Sequence, residues 1–169
     1  MHIHTDNHPL SRLRLGLGIA GLIPFVFFAL VAASPTQMSE LPFEHALLTS
    51  WSHPEFEFFV AYSAVILSFM AGTLWGKSLD TDISHFNQSI IIVSNIVAIL
   101  AWAVLIMELV NLNALALICL GLGFCSLLMV EVSQKTCLYS NHADAYIRYR
   151  SFLTTVVLVC HAVMFFSIY

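Results

Sequence analysis

Five apolar stretches, each close to the length of a bilayer crossing, constrain this chain more than any motif in it. They are Leu15–Ala33, Phe58–Gly76, Ile90–Met107, Ala114–Val132 and Ser151–Tyr169. A hydrocarbon core of about 30 Å takes roughly 20 helical residues per crossing. None of the five carries the ten-residue polar alternation of a barrel strand, so only helices can satisfy their backbone in lipid. The reading is an all-α integral membrane protein, one five-helix transmembrane domain over residues 1–169.

Composition excludes the alternatives. Of the 169 residues, 59% are hydrophobic and 9% are Asp, Glu, Lys or Arg, whereas a soluble domain carries about 25% charged residues. Scarce charge argues against disorder. A disulfide scaffold does not fit either, since Cys119, Cys125 and Cys160 lie inside apolar runs and Cys137 stands alone. Six basic residues against ten acidic ones leave a formal charge of −4 and no basic patch for nucleic acid.

Orientation follows from the basic residues. Arg12 and Arg14 precede the first run, Lys77 follows the second, and Lys135, Arg148 and Arg150 lie between the fourth and fifth. All fall on one side, which the positive-inside bias assigns to the cytoplasm, so the N-terminus is expected inside and the C-terminus outside. Glu40, Glu44, Glu55, Glu57 and Glu108 then fall on the outer side, whose segments carry no Lys or Arg. A secretory signal reading of the first run is disfavoured by its 19 residues and by Pro35 just after the candidate cleavage site at Val31-Ala32-Ala33. The connection 34–57 has helical spacing at Phe43, Leu47, Leu48 and Trp51 and reads as an interfacial helix. Residues 141–150 read either as a cytoplasmic extension of the fifth helix or as a solvated loop.

Ala64, Ser68, Gly72 and Gly76 place a small residue at every fourth position of the second helix. In lipid, close backbone approach at small residues supplies much of helix association, so this stripe is expected to be the packing seam, against another helix or a second copy. Gly16, Gly18 and Gly21 formally make G-x-G-x-x-G, but no strand precedes them and no aqueous site is available, so nucleotide binding is not expected. Pro24 removes a backbone hydrogen bond and predicts a kink near the middle of the first helix.

Two segments resemble a known family. Gly21-Leu22-Ile23-Pro24-Phe25, and Ala61-Tyr62-Ser63-Ala64-Val65-Ile66-Leu67-Ser68-Phe69 followed by Trp75-Gly76, are similar to the domain-of-unknown-function 3429 family of bacterial inner-membrane and animal mitochondrial proteins. The resemblance implies the multi-helix membrane fold and no particular reaction.

Depth counting at 1.5 Å per residue puts Ser68, Asn95 and His161 near the bilayer midplane, beside the Pro24 break. Two roles are open to them: hydrogen-bonding glue between helices, or a small polar cavity that binds a substrate or relays protons. No cofactor is expected. Haem would need two facing imidazoles, and only His161 is deep, with His45, His53, His85 and His142 in loops. The midplane also lacks an acidic group to orient a His, so no enzymatic activity is expected. Glu131, at the inner end of the fourth helix, is expected to pair with Lys135, Lys77 or an arginine across the inner face. His2, His4 and His8 offer a loose metal site in the N-terminal tail. Trp51, Ser52, His53, Pro54, Glu55 and Phe56 open a run that matches the streptavidin-binding tag peptide at six of eight positions, which would give adventitious retention on streptavidin-type resin.

These observations lead to a non-enzymatic structural, interaction or assembly component of the bacterial inner membrane. Its partners would be the lipid bilayer and either a homo-oligomer or a foreign membrane complex. The alternative is a small transporter or channel, formed by an oligomer if need be, that uses the midplane polar groups.

Overall fold

A computed structural model describes residues 9–34, 54–79, 85–134 and 143–168. Six helices account for nearly all of them: α1 (Pro9–Ala20), α2 (Ile23–Ala33), α3 (Pro54–Leu79), α4 (His85–Leu109), α5 (Asn113–Ser133) and α6 (Ala143–Ile168). Five segments among these are long and apolar enough to cross a membrane: Leu15–Ala33, which joins α1 to α2, then Pro54–Leu79, Gln88–Leu109, Asn113–Ser133 and Asp144–Ile168.

Several helices outrun their apolar stretches. Pro54 opens α3 with Glu55 and Glu57 in its first turn, and Lys77 closes it. Proline costs nothing where the backbone N–H has no partner anyway, and the charges at each end complement the helix dipole. At the other end of the chain α6 starts at Ala143, so residues 143–150 are helical and continuous with the fifth crossing. The expected interfacial helix within 34–57 falls mostly outside the described residues. His85, expected in a loop, begins α4.

The first crossing is broken where the sequence predicts a kink, but the break lies at Gly21–Leu22, just before Pro24, which occupies the first turn of α2. The Leu22 amide bonds the Ile19 carbonyl at 2.9 Å, a tightened turn. Across the bundle, Tyr62 Oη donates to the Gly21 carbonyl at 2.9 Å. A break inside lipid is tolerated when a neighbour satisfies the freed backbone group, and Tyr62 does so from α3.

The helices close into a ring. α2 packs on α3, α3 on α4, α4 on α5, α5 on α6 and α6 back on α2, while α3 and α5 also touch across the middle. Phe25, Phe59, Leu67, Val104, Leu120, Phe124 and Met164 fill the centre. The outer surface is equally apolar, with Phe69, Ile99, Trp102 and Phe166 exposed, as a helix surrounded by lipid requires. Between α4 and α5 the chain turns in three residues. Asn111 takes φ 59°, its amide bonds the Glu108 carbonyl and the Leu112 amide bonds the Met107 carbonyl, both at 2.9 Å. That pair of bonds is a Schellman motif, which uses a left-handed residue to satisfy the last carbonyls of a helix.

The small-residue stripe is not the seam within this chain. The buried face of α3 runs through Phe59, Ser63, Leu67, Ala71, Leu74 and Ser78. Ala64 belongs to that face and Ser68 is half-buried at its margin, but Gly72 is exposed. A Cβ at Gly72 or Gly76 would meet open space. Steps of four alone drift around a helix of 3.6 residues per turn; the buried face lies one residue off the stripe and corrects the drift with a step of three from Ala71 to Leu74.

Gly123 on α5 makes the close approach. A Cβ there would come within 2.6 Å of Leu67 Cδ2 on α3, and Leu67 is fully buried. Gly123→Val is therefore expected to destabilise the purified protein by about 1–3 kcal/mol through overpacking. Thermal unfolding in detergent reads this directly, and a Gly72→Val control should change little.

Candidate functional site

Two tyrosines, Tyr62 and Tyr149, bond carbonyls of another helix; other polar groups of the crossings bond within their own helix or belong to one charged cluster. Hydroxyls of Ser63, Ser94, Thr155 and Ser167 donate to carbonyls one turn back on their own helices, the usual way such side chains are satisfied without a partner helix. The cluster sits where the C-terminal ends of α3 and α5 meet the N-terminal part of α6.

Arg150 Nε donates to Glu131 Oε2 at 2.9 Å. Glu131 is 6% exposed and Arg150 8%. Tyr146 Oη donates to Glu131 Oε1 at 3.2 Å. Arg150 Nη1 approaches Thr154 Oγ1 at 3.4 Å, and Nη2 approaches the Met70 sulfur at 3.1 Å. Lys77 Nζ lies 4.9 Å from the centroid of the Tyr146 ring, within cation–π range. An ionised pair at this depth persists only because each charge has its partner.

Of the partners expected for Glu131, the arginine across the face is in place, as Arg150. Lys135 lies outside the described residues. The burial of Arg150 was missed by counting it with the loop, yet the signal was available. Arg150, Thr154, Val157, His161 and Met164 recur at spacings of 4, 3, 4 and 3, and all five are buried; they form the core-facing stripe of α6.

From this cluster a cleft of about 390 Å³ extends between α1–α2, α3, α5 and α6. Lys77, Glu131, Tyr146 and Arg150 line one end, and Leu22, Phe25, Phe124 and Val157 the other. On α3 its lining runs from Ile66 to Lys77, about 16 Å of helix. Gly16, Gly18 and Gly21 do not build a phosphate loop here. A Cβ at Gly18 would overlap Tyr149 Oη, which donates to the Leu15 carbonyl at 2.7 Å, so Gly18 lets α6 approach α1.

The three midplane residues do not converge. Asn95 is exposed on α4, and its Nδ2 donates to the Ile91 carbonyl of its own helix at 2.8 Å. Ser68 is half-buried on α3. His161 is 5% exposed, with Nδ1 2.8 Å from the Val157 carbonyl. The rings of Phe59, Phe124 and Phe25 surround it at centroid distances of 4.8, 5.7 and 6.1 Å. Its Nε2 is buried with no hydrogen-bond partner. Depth placed these groups at one level, but their azimuths on separate helices keep a shared polar cavity from forming, and neither Asn95 nor His161 bonds to another helix.

His2, His4 and His8 lie outside the described residues. Among the described residues no group of three His, Cys, Asp or Glu side chains is placed to hold a metal ion. Of the tag-like run, Trp51, Ser52 and His53 are likewise outside, while Pro54, Glu55 and Phe56 form the first turn of α3, with Pro54 and Phe56 buried. That half is helical and turned inward, unlike an accessible extended peptide.

Five crossings around an apolar core define a multi-pass membrane protein. The chain belongs to the family described as Protein of unknown function (DUF3429), which matches residues 10–166. It is similar to Transmembrane protein 69 of Xenopus tropicalis, 34% identical over 134 residues, with 70% of this chain and 47% of that protein covered. The chain therefore spans about half the length of that relative. No solved structure matches it.

Proposed function

We propose that this chain is a non-catalytic component of a membrane, the bacterial inner membrane in the first instance, and that it works through contacts with itself or with another membrane complex. The observation that carries this reading is the Glu131–Arg150 pair: the buried carboxylate and the buried guanidinium neutralise one another and hold α5 to α6. Asn95 and His161 support it, each with a bond to a carbonyl of its own helix. The basic ends of α3 and α6 share one side, and the positive-inside bias assigns it to the cytoplasm.

Cross-linking in intact membranes followed by native mass spectrometry tests the reading. A discrete oligomer or a reproducible foreign subunit supports it. Solute flux by a lone monomer would overturn it.

A second reading, a small transporter, is favoured by the unpartnered Nε2 of His161, whose ring lies 6.1 Å from that of Phe25 in the first turns after the Gly21–Leu22 break. His161→Leu separates the two. With a contact role, proton flux in reconstituted vesicles equals that of protein-free vesicles for wild type and variant alike, and the variant keeps wild-type stability to within about 1 kcal/mol, since a buried unsatisfied nitrogen is removed. Flux in the wild type that the variant abolishes would establish the transporter instead.

A further inference from the structure

Arg150 is poorly satisfied for a buried guanidinium. It carries five N–H donors in a fixed fork. Its acceptors among the described residues are one carboxylate oxygen at 2.9 Å, one hydroxyl at the long distance of 3.4 Å and a thioether sulfur. A thioether is a weak acceptor. Arg150 and Met70 both line the cleft, so the underused edge of the guanidinium borders open space.

Three ionised groups line that end: Lys77 and Arg150 are cationic and Glu131 anionic, which sums to +1. Apart from Thr73, whose hydroxyl donates to the Met70 carbonyl, and the Tyr146 hydroxyl, the rest of the lining is apolar and ends at Phe25 and Phe124. At about 390 Å³ it is near the lower limit of ligand sites, which run from about 300 to 1,000 Å³. A free anion would satisfy the charged end and leave the apolar trough empty; a neutral hydrocarbon would do the reverse. Basic pockets between transmembrane helices are suited to anionic lipid headgroups.

We propose that this cleft is a binding site for an anionic phospholipid. Its phosphodiester accepts hydrogen bonds from the Arg150 guanidinium, Lys77 supplies the second cation at the rim, and one acyl chain lies along α3 toward Phe25. The proposal goes beyond the contact role above and does not depend on it, because a monomer and an assembly present the same cleft.

Native mass spectrometry of the full chain, with phosphatidylglycerol, phosphatidylcholine and diacylglycerol of matched acyl chains added to the detergent in turn, tests it. Phosphatidylglycerol is expected to be retained most strongly. Lys77→Gln, which leaves the buried pair in place, is expected to lower its apparent affinity about fivefold, the effect of one cation near a membrane surface. The double variant Arg150→Met with Glu131→Leu, which removes the guanidinium and leaves Lys77 to carry the net +1, is expected to weaken phosphatidylglycerol retention while keeping part of the preference. Equal retention of phosphatidylglycerol and phosphatidylcholine by the wild type would overturn the proposal, as would undiminished phosphatidylglycerol binding by Lys77→Gln.

Discussion

Arg150→Met alone is expected to lower the stability of the purified protein by about 3–5 kcal/mol, because it strands the Glu131 carboxylate without its guanidinium. The double variant Arg150→Met with Glu131→Leu should recover most of that loss, since apolar side chains of similar volume replace a buried pair at little cost. Heat unfolding in one detergent, followed by tryptophan fluorescence, compares the three proteins. Arg150→Met as stable as the wild type would mean that the pair is loose or hydrated and that the α5–α6 contact rests on packing alone. A double variant as unstable as the single one would place the deficit in lost shape, with the stranded charge contributing little.

Phe25→Ala is expected to be the most damaging change in the apolar core, at about 2–4 kcal/mol. Phe25 is 1% exposed, and its ring meets Phe59, Tyr62 and Phe124 edge-on at centroid distances of 5.6, 5.0 and 6.0 Å. A soluble core loses roughly 3–5 kcal/mol on such truncation. In lipid part of the transfer contribution is missing, but the cavity and the lost edge-to-face contacts remain. Phe166→Ala, at 79% exposure, should change stability by less than about 0.5 kcal/mol. A Phe25→Ala protein with the wild-type melting profile would show that the aromatic cluster is not the keystone of the ring.

The helices were legible because length and apolarity are properties of the chain itself: about 20 uncharged residues have one way to satisfy their backbone in lipid. Pro24 located the interrupted crossing to within a few residues for the same local reason. What lay beyond reach was rotation about each helix axis. In a soluble protein the polar face shows which way a helix points, but here Phe69 and Phe59 are both apolar, one facing lipid and the other the core. Within the chain the seam of α3 runs through Ser63, Leu67 and Ala71, off the glycine stripe. Asn95 and His161, candidates for one polar cavity, point different ways, Asn95 exposed and His161 buried among aromatic rings. Arg150 was the recoverable case. Its spacing to Thr154, Val157 and His161 already marked one face of α6, and treating it as a loop cation discarded that information. The cleft itself depends on where four segments leave a gap, and no single-helix pattern encodes a gap.

The turn at Asn111 bears on how the chain enters a membrane at all. Residues 110–112 can span only about 10 Å even when fully extended, and their amides are already committed to the end of α4. The turn keeps the adjoining ends of α4 and α5 at one level. The two are therefore expected to enter as a hairpin, and a mutation that halts one is expected to slow the other.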